Sequence, residues 1–246
     1  PYLGVFYDFL IGFFEILAFL VIISVIIFLI RRNLMKISRF ISNDLSGWPK
    51  SDGNYILYIE LVLMFLFLNM NATDQVLQNA NYLNYGSYGS FPISSFISPI
   101  YENLEIDYVV FIERTSWWFH IIGILFFLNY LYYSKHLHII LAFPNTYFSN
   151  LNTSGKFSNL KSVYKEVKAM LDPDSDPHST VNSNETEIFG AKDVFDLNWF
   201  QLLSAYTCTE CGRCSSECPA SQTGKLLSPR SIMMKTRDRI EEVGKN

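Results

Sequence analysis

Residues 9–30 read FLIGFFEILAFLVIISVIIFLI, with one ionisable side chain, Glu15, in the whole run. At a rise of about 1.5 Å per residue, such a helix covers about 33 Å, the depth of a bilayer's hydrocarbon core. A helix buried in a soluble domain is rarely apolar on every face over this length. The run therefore predicts a membrane span, and everything else in the chain has to be accommodated beside lipid.

Two further runs follow. One covers about residues 55–70 and carries Glu60; the other begins TSWWFHIIGILFFLNYLYY at Thr115 and is expected to continue through SKHLHIILAF to a stop at Pro144. Pro ends helices because it lacks the N–H and clashes with the preceding turn. The expected fold is all-α: a transmembrane helical bundle of at least three spans, at about 9–30, 55–70 and 112–143, within a membrane domain over 1–144. A polar linker over 145–192, with one short helix around Lys161–Leu171, joins it to a cytoplasmic α-helical ferredoxin-like unit over 193–246. Half of the residues are apolar and 17% are charged, which fits a membrane protein with a soluble appendage. The net charge of −4 and the lack of a basic tract exclude a nucleic-acid binder of the usual electrostatic kind. Neither a GxGxxG run nor a P-loop is present.

Arg31, Arg32, Lys36 and Arg39 follow the first span, whereas no Lys or Arg occurs from Ser51 to Glu113. Cytoplasmic loops carry the Lys/Arg excess, so the first segment is expected inside and the 71–107 loop outside. Lys135 then marks the inner end of the third span. Pro1 falls outside by this count, which calls for at least one earlier helix. The expected location is the bacterial inner membrane, multi-pass, with the C-terminal unit on the cytoplasmic side. The 71–107 loop is rich in Asn, Ser, Tyr and Gly and reads either as a surface loop with interfacial aromatics or as a lid over a site at the outer face.

Three of the four histidines, His120, His136 and His138, lie on the third run; His178 lies in the linker. Polar groups in a membrane helix cost free energy and tend to mark function. His120 and His138 are eighteen residues apart. On one continuous helix that is five whole turns and about 27 Å, an imidazole of one face near each membrane surface. This is the geometry of a two-haem b-type relay, with one axial ligand for each haem. The opposing ligands are expected from outside these three runs. His136 points elsewhere on such a helix and is the alternative to His138; an interfacial role beside Lys135 is the other reading of both. Glu15 and Glu60 read either as proton-handling groups or as inward-facing carboxylates held for packing.

All four cysteines fall in CTECGRCSSECPA, as Cys208-x2-Cys211-x2-Cys214-x3-Cys218-Pro219. This is the bacterial ferredoxin spacing for a 4Fe–4S cluster, proline included. Structural zinc sites usually pair two distant CxxC units, and disulfides are unexpected on the cytoplasmic side. Gly212 provides the backbone freedom to curl around a cubane. In two-cluster ferredoxins the fourth Cys serves the other cluster, so a second cubane is expected, completed by downstream residues. Asp193 is expected to cap a helix over DVFDLNWFQLLSAYT, and Ser228-Pro229 to open one over RSIMMKTRDRIEEV.

The stretch WWFHIIGILFFLNYLYYSKHLHIILAFPNTYF, followed by FGAKDVFDLNWFQLLSAYTCTECGRCSSECPASQTGKLLSPRSIMM, resembles the membrane-bound iron–sulfur oxidoreductases related to the D component of heterodisulfide reductase. Those proteins join a membrane domain similar to the nitrate reductase gamma component to a two-cluster ferredoxin domain and cysteine-rich CCG domains. The resemblance implies b-type haem on His120 and His138, a 4Fe–4S cluster on Cys208, Cys211, Cys214 and Cys218, and electron exchange with membrane quinone. The expected partners are lipid, quinone and a soluble electron donor or partner subunit. Two other functions fit the same residues: heterodisulfide-type thiol–disulfide chemistry, which needs CCG cysteines, and a non-catalytic iron–sulfur anchor in a respiratory complex.

Overall fold

The computed structural model describes residues 4–35, 37–42, 44–83, 85–152, 161–171 and 190–245. Ten α-helices occur among them, in the order α1 Val5–Leu29, α2 Ser38–Ile41, α3 Trp48–Asn79, α4 Ile106–Tyr133, α5 His138–Tyr147, α6 Lys161–Leu171, α7 Trp199–Tyr206, α8 Arg213–Glu217, α9 Pro219–Gln222 and α10 Pro229–Lys245. The described residues contain no strand. Three helices, α1 with its π-helical extension Ile30–Leu34, α3 and α4, are long and apolar enough to cross a membrane.

α3 is the central span and packs against both α1 and α4. Gly123 on α4 lets the two helices close up, because a Cβ there would meet the Leu63 side chain at 2.6 Å. Away from this seam the spans present Phe9, Phe13, Leu20, Phe65, Phe119 and Leu125 outward, an all-round apolar surface suited to lipid.

The second span is longer at both ends than 55–70. The chain turns at Gly47, with φ of 70°, and Trp48 and Pro49 open the helix. Proline is tolerated in the first helical turn, where its missing N–H has no partner to lose, so SGWPKSDGN is a turn only in its first part. The run expected as one span over 112–143 divides instead. α4 ends at Tyr133, Ser134 is extended at φ −106° and ψ 153°, and a 3-10 turn over Lys135–Leu137 leads into α5. Buried Asp52 of α3 takes the place of the helical continuation. Its carboxylate accepts from the Tyr130 hydroxyl, the Ser134 hydroxyl at 3.3 Å and the Lys135 N–H at 3.2 Å. Pro144 lies inside α5 and does not end it.

At the end of the bundle away from the cysteines the loop after α3 is a packed cap. Asp8 and Glu15 of α1 lie on one helical face and reach into it. Asp8 accepts from the Gly89 N–H at 2.7 Å, and Glu15 from the N–H groups of Ile93 and Ser94 at 2.9 and 3.2 Å. The other Glu15 oxygen accepts from Asn71 at 3.0 Å. Beneath the cap Val76, Leu77 and Val109 form a small core with Tyr82, Tyr85 and Tyr101 around it.

In the C-terminal unit Asp193 caps a single 3-10 turn, Val194–Asp196, rather than the main helix; Asn198 caps α7 through a reciprocal bond pair with Gln201. α6 falls where the linker helix was expected. The expected linker over 145–192 otherwise lies largely outside the described residues, His178 included.

Candidate functional site

The four cysteines occupy a loop and two short helices that follow α7. Glu210 and Gly212 both have positive φ, 57° and 75°. At Gly212 a side chain is excluded twice over, by that φ and by an Arg230 nitrogen that a Cβ would meet at 2.5 Å. Cys214 sits on α8, and Cys218 caps α9, whose first residue is Pro219. All four thiols are free. No three His, Cys, Asp or Glu side chains among the described residues gather around a single-ion point. A cubane makes a different demand, one thiolate at each of several corners of a larger body.

Whether these thiols fit such a body is tested by their hydrogen bonds. Near the sulfurs lie the Glu210 N–H at Cys208, the Arg213 N–H and Thr209 hydroxyl at Cys211, and the N–H groups of Ser221 and Ala220 at Cys218. Donors aimed at sulfur favour the thiolate and tune clusters bound to it. Burial is the largest influence on Cys208 and holds its thiol above the usual range. Burial acts the same way on Cys211, but the donors together with the Arg213 and Arg39 charges outweigh it, and the thiol lies below its ordinary value. At Cys218 the Ser221 N–H leads, and that thiol is lowered too.

Two sets of buried charges seat this loop against the ends of the spans beside Lys135 and the 37–44 segment, and neither was singled out in the sequence. Arg230, only 1% exposed, chelates Asp44: its Nε is 3.0 Å from one carboxylate oxygen and its Nη2 reaches the other. Arg230 also donates to the Arg39 carbonyl at 2.8 Å and to the Ser42 hydroxyl. The Arg230 contact holds the Asp44 carboxyl well below the usual carboxylate range. Glu210, between two cysteines, bridges Lys135 at 2.9 Å and Arg237 at 2.8 Å. A buried residue with positive φ between two of the cysteines is not detectable from spacing alone.

The histidines fall into two groups. His120 lies at the α3–α4 seam, Nδ1 3.0 Å from the Leu63 carbonyl, with the Phe67 ring beside it. His138 opens α5, and its Nδ1 lies 2.9 Å from the Lys135 carbonyl. A carbonyl can only accept, so Nδ1 donates in both rings, and in the neutral imidazole Nε2 then keeps a lone pair. This is the arrangement that orients metal-ligating histidines. His136 is turned toward α4 and α3, beside Phe127, with Nε2 3.7 Å from Glu60. The break at Ser134 removes the continuous helix on which His120 and His138 were expected to share a face. His136 and His138 instead stand ring to ring at 5.7 Å.

The structure brings the second group to the cysteines. A cavity of about 350 Å³ is walled by His136, His138 and Cys211, by Phe28 and Leu57 from the spans, and by several arginines.

The chain is 29% identical over 94% of its length to the probable iron–sulfur-binding oxidoreductase FadF of Bacillus subtilis, and 27% identical over 89% to the EtfAB:quinone oxidoreductase of Syntrophomonas wolfei. It spans 28% of the length of each. A shorter stretch, 18% of the chain, is 39% identical to part of a probable membrane-anchored ferredoxin of Chromohalobacter salexigens, 7% of that protein. No protein-family model and no solved structure matches the chain. These similarities support a relationship to iron–sulfur oxidoreductases.

Proposed function

We propose that this chain is the membrane and first-cluster portion of an oxidoreductase of the heterodisulfide-reductase-related type, exchanging electrons between a cytoplasmic donor and membrane quinone. One observation carries the reading: the ferredoxin-spaced cysteine loop is seated on the inner ends of the spans, where Cys211 shares a cavity with His136 and His138. The names of the two long-matching relatives point the same way, and the name EtfAB supplies the candidate donor.

Cys208, Cys211 and Cys214 would hold one 4Fe–4S cluster and Cys218 would serve the second, and His120 and His138 would ligate up to two b-type haems; bound there, these groups supply one-electron centres. A second cluster is expected in the whole protein. The chain's own residues prepare the places. Backbone N–H groups steady three thiolates, and the Leu63 and Lys135 carbonyls fix two imidazoles with Nε2 available. Lys135 also grips Glu210, so the turn carrying His138 and the loop carrying Cys208 and Cys211 are held by one ion pair. Glu60 and His136 form the pair placed to hold a proton at the inner end of the bundle. The cysteine unit lies on the cytoplasmic side of a bacterial inner membrane, with the Arg31–Arg39 segment.

A non-catalytic anchor is the second reading, favoured by the membrane-anchored ferredoxin among the similar proteins. The deciding measurement is a dithionite-reduced-minus-oxidised spectrum of the protein extracted from its own membranes, with iron, haem and quinone reduction assayed on the same sample. A b-type α-band, cubane-level iron and quinone reduction support the relay. Iron without haem removes the histidine assignment; iron and haem with no quinone reduction favour the anchor.

A further inference from the structure

The cavity at the inner membrane surface has a property that electron transfer does not account for. Arg31, Arg32, Arg39, Lys135 and Arg213 all contribute to its wall, and no Asp or Glu does. Lys135 is neutralised by Glu210. Among the described residues, none of the four arginines has a carboxylate within salt-bridge distance. The Nε atoms of Arg32 and Arg39 are sealed from solvent and have no hydrogen-bond partner.

The fold gathers these charges rather than letting them disperse. The guanidinium carbons of Arg39 and Arg32 stand 5.0 and 5.4 Å from the centre of the same ring, Phe40. Gly53 of α3 leaves the space that Arg32 fills, since a Cβ there would lie 2.8 Å from an Arg32 nitrogen. Concentrating like charges and leaving buried N–H groups unpaired both cost free energy. An oxyanion in the cavity offsets the first of these, because guanidinium groups lining the wall match carboxylate and phosphate oxygens. On the bilayer side the wall is Phe28, Ile56 and Leu57, so the partner has an apolar part as well. Basic pockets between spans on the cytoplasmic side are suited to anionic head groups.

We propose that this cavity is an oxyanion site for a membrane-resident amphiphile, with Arg32 and Arg39 as its principal ligands and Arg31 and Arg213 flanking them. The anionic head is either the phosphate of a phospholipid or a carboxylate of a tetrapyrrole whose iron His138 would take. The carboxylate alternative rests on the haem assignment proposed above; the phosphate alternative does not.

The test uses the protein extracted from its own membranes and reconstituted in nanodiscs of phosphatidylglycerol or of phosphatidylcholine. Phospholipid retained after detergent transfer is measured by native mass spectrometry, and haem by pyridine haemochrome, in wild type, Arg32→Gln/Arg39→Gln and Arg32→Lys/Arg39→Lys. Iron content and the cluster's electron paramagnetic resonance signal report whether each variant is intact; Arg31→Gln and Gly53→Ala serve if the double glutamine variant fails to assemble. Selective retention of phosphatidylglycerol that falls at least fivefold in the glutamine variant, with partial rescue by lysine, establishes a phosphate occupant. Unchanged lipid with haem content falling at least twofold establishes a carboxylate occupant. Equal lipid and haem in all intact variants overturns the site. Quinone reduction is a separate readout, and its loss alone leaves the site standing.

Discussion

Arg230 shows how much a single side chain decides. It is almost fully buried, and it meets Asp44, the Arg39 carbonyl and the Ser42 hydroxyl, all from the short segment after the first span. Removing one partner of a buried ion pair strands the other and costs about 3–5 kcal/mol. Arg230→Ala is therefore expected to detach the cysteine unit from the segment after the first span and to lower iron content per protein, with α10 still helical. Iron analysis and tryptic susceptibility at Lys225 and Lys235 check this. The pH dependence follows from the depressed Asp44 carboxyl. A carboxylate lowered on folding contributes stability above its unfolded pKa, about 3.9, and loses it as pH falls through the folded value. The tie is expected to hold through the neutral range and to loosen only below about pH 4. Hydrogen exchange of the amides in 37–42 and 228–232, followed against pH, reads it out.

At the scale of elements, two carboxylates settle matters that helix propensity leaves open. Asp52 ends α4 by capturing Tyr130, Ser134 and the Lys135 N–H. Asp52→Ala leaves those donors buried without a partner, at about 1–3 kcal/mol. The expected outcome is a lower unfolding temperature in detergent, with a larger loss than Asp52→Asn, whose side-chain oxygen still accepts. Glu15 pins the loop cap to α1 and α3 through three donors, which is the packing role among its two sequence readings. Glu15→Ala is expected to expose the 86–96 segment to chymotrypsin while quinone reduction stays within about twofold of wild type, a change under about 0.5 kcal/mol in barrier. Loss of turnover with the cap intact would restore the proton-handling role.

For the whole molecule, the charges on one end of the bundle and the cysteine unit share a side, because buried ion pairs join them. Sealed inside-out vesicles are expected to yield tryptic fragments cut at Lys225, Lys235 or Arg239, and right-side-out vesicles to protect those sites. Cleavage in the opposite orientation would invert the topology and displace the donor to the outer face.

Sequence by itself determined the all-helical character, the first span, the helix opening at Ser228-Pro229 and the cluster-type cysteine spacing. Each depends on local physics: all-round apolarity over a bilayer's depth, a proline at a helix start, and thiols at iron–sulfur spacing. Tertiary structure alone decided where the third span stops, since Asp52, more than eighty residues before the break, takes over the backbone donor of Lys135. It alone decided which histidines meet the cysteine loop, because that break turns His136 and His138 back toward Cys211 and leaves His120 in the bundle. It alone revealed Asp44, Glu210 and Arg230 as the fastening, since an ion pair across 186 residues, Arg230 to Asp44, leaves no mark in periodicity or spacing.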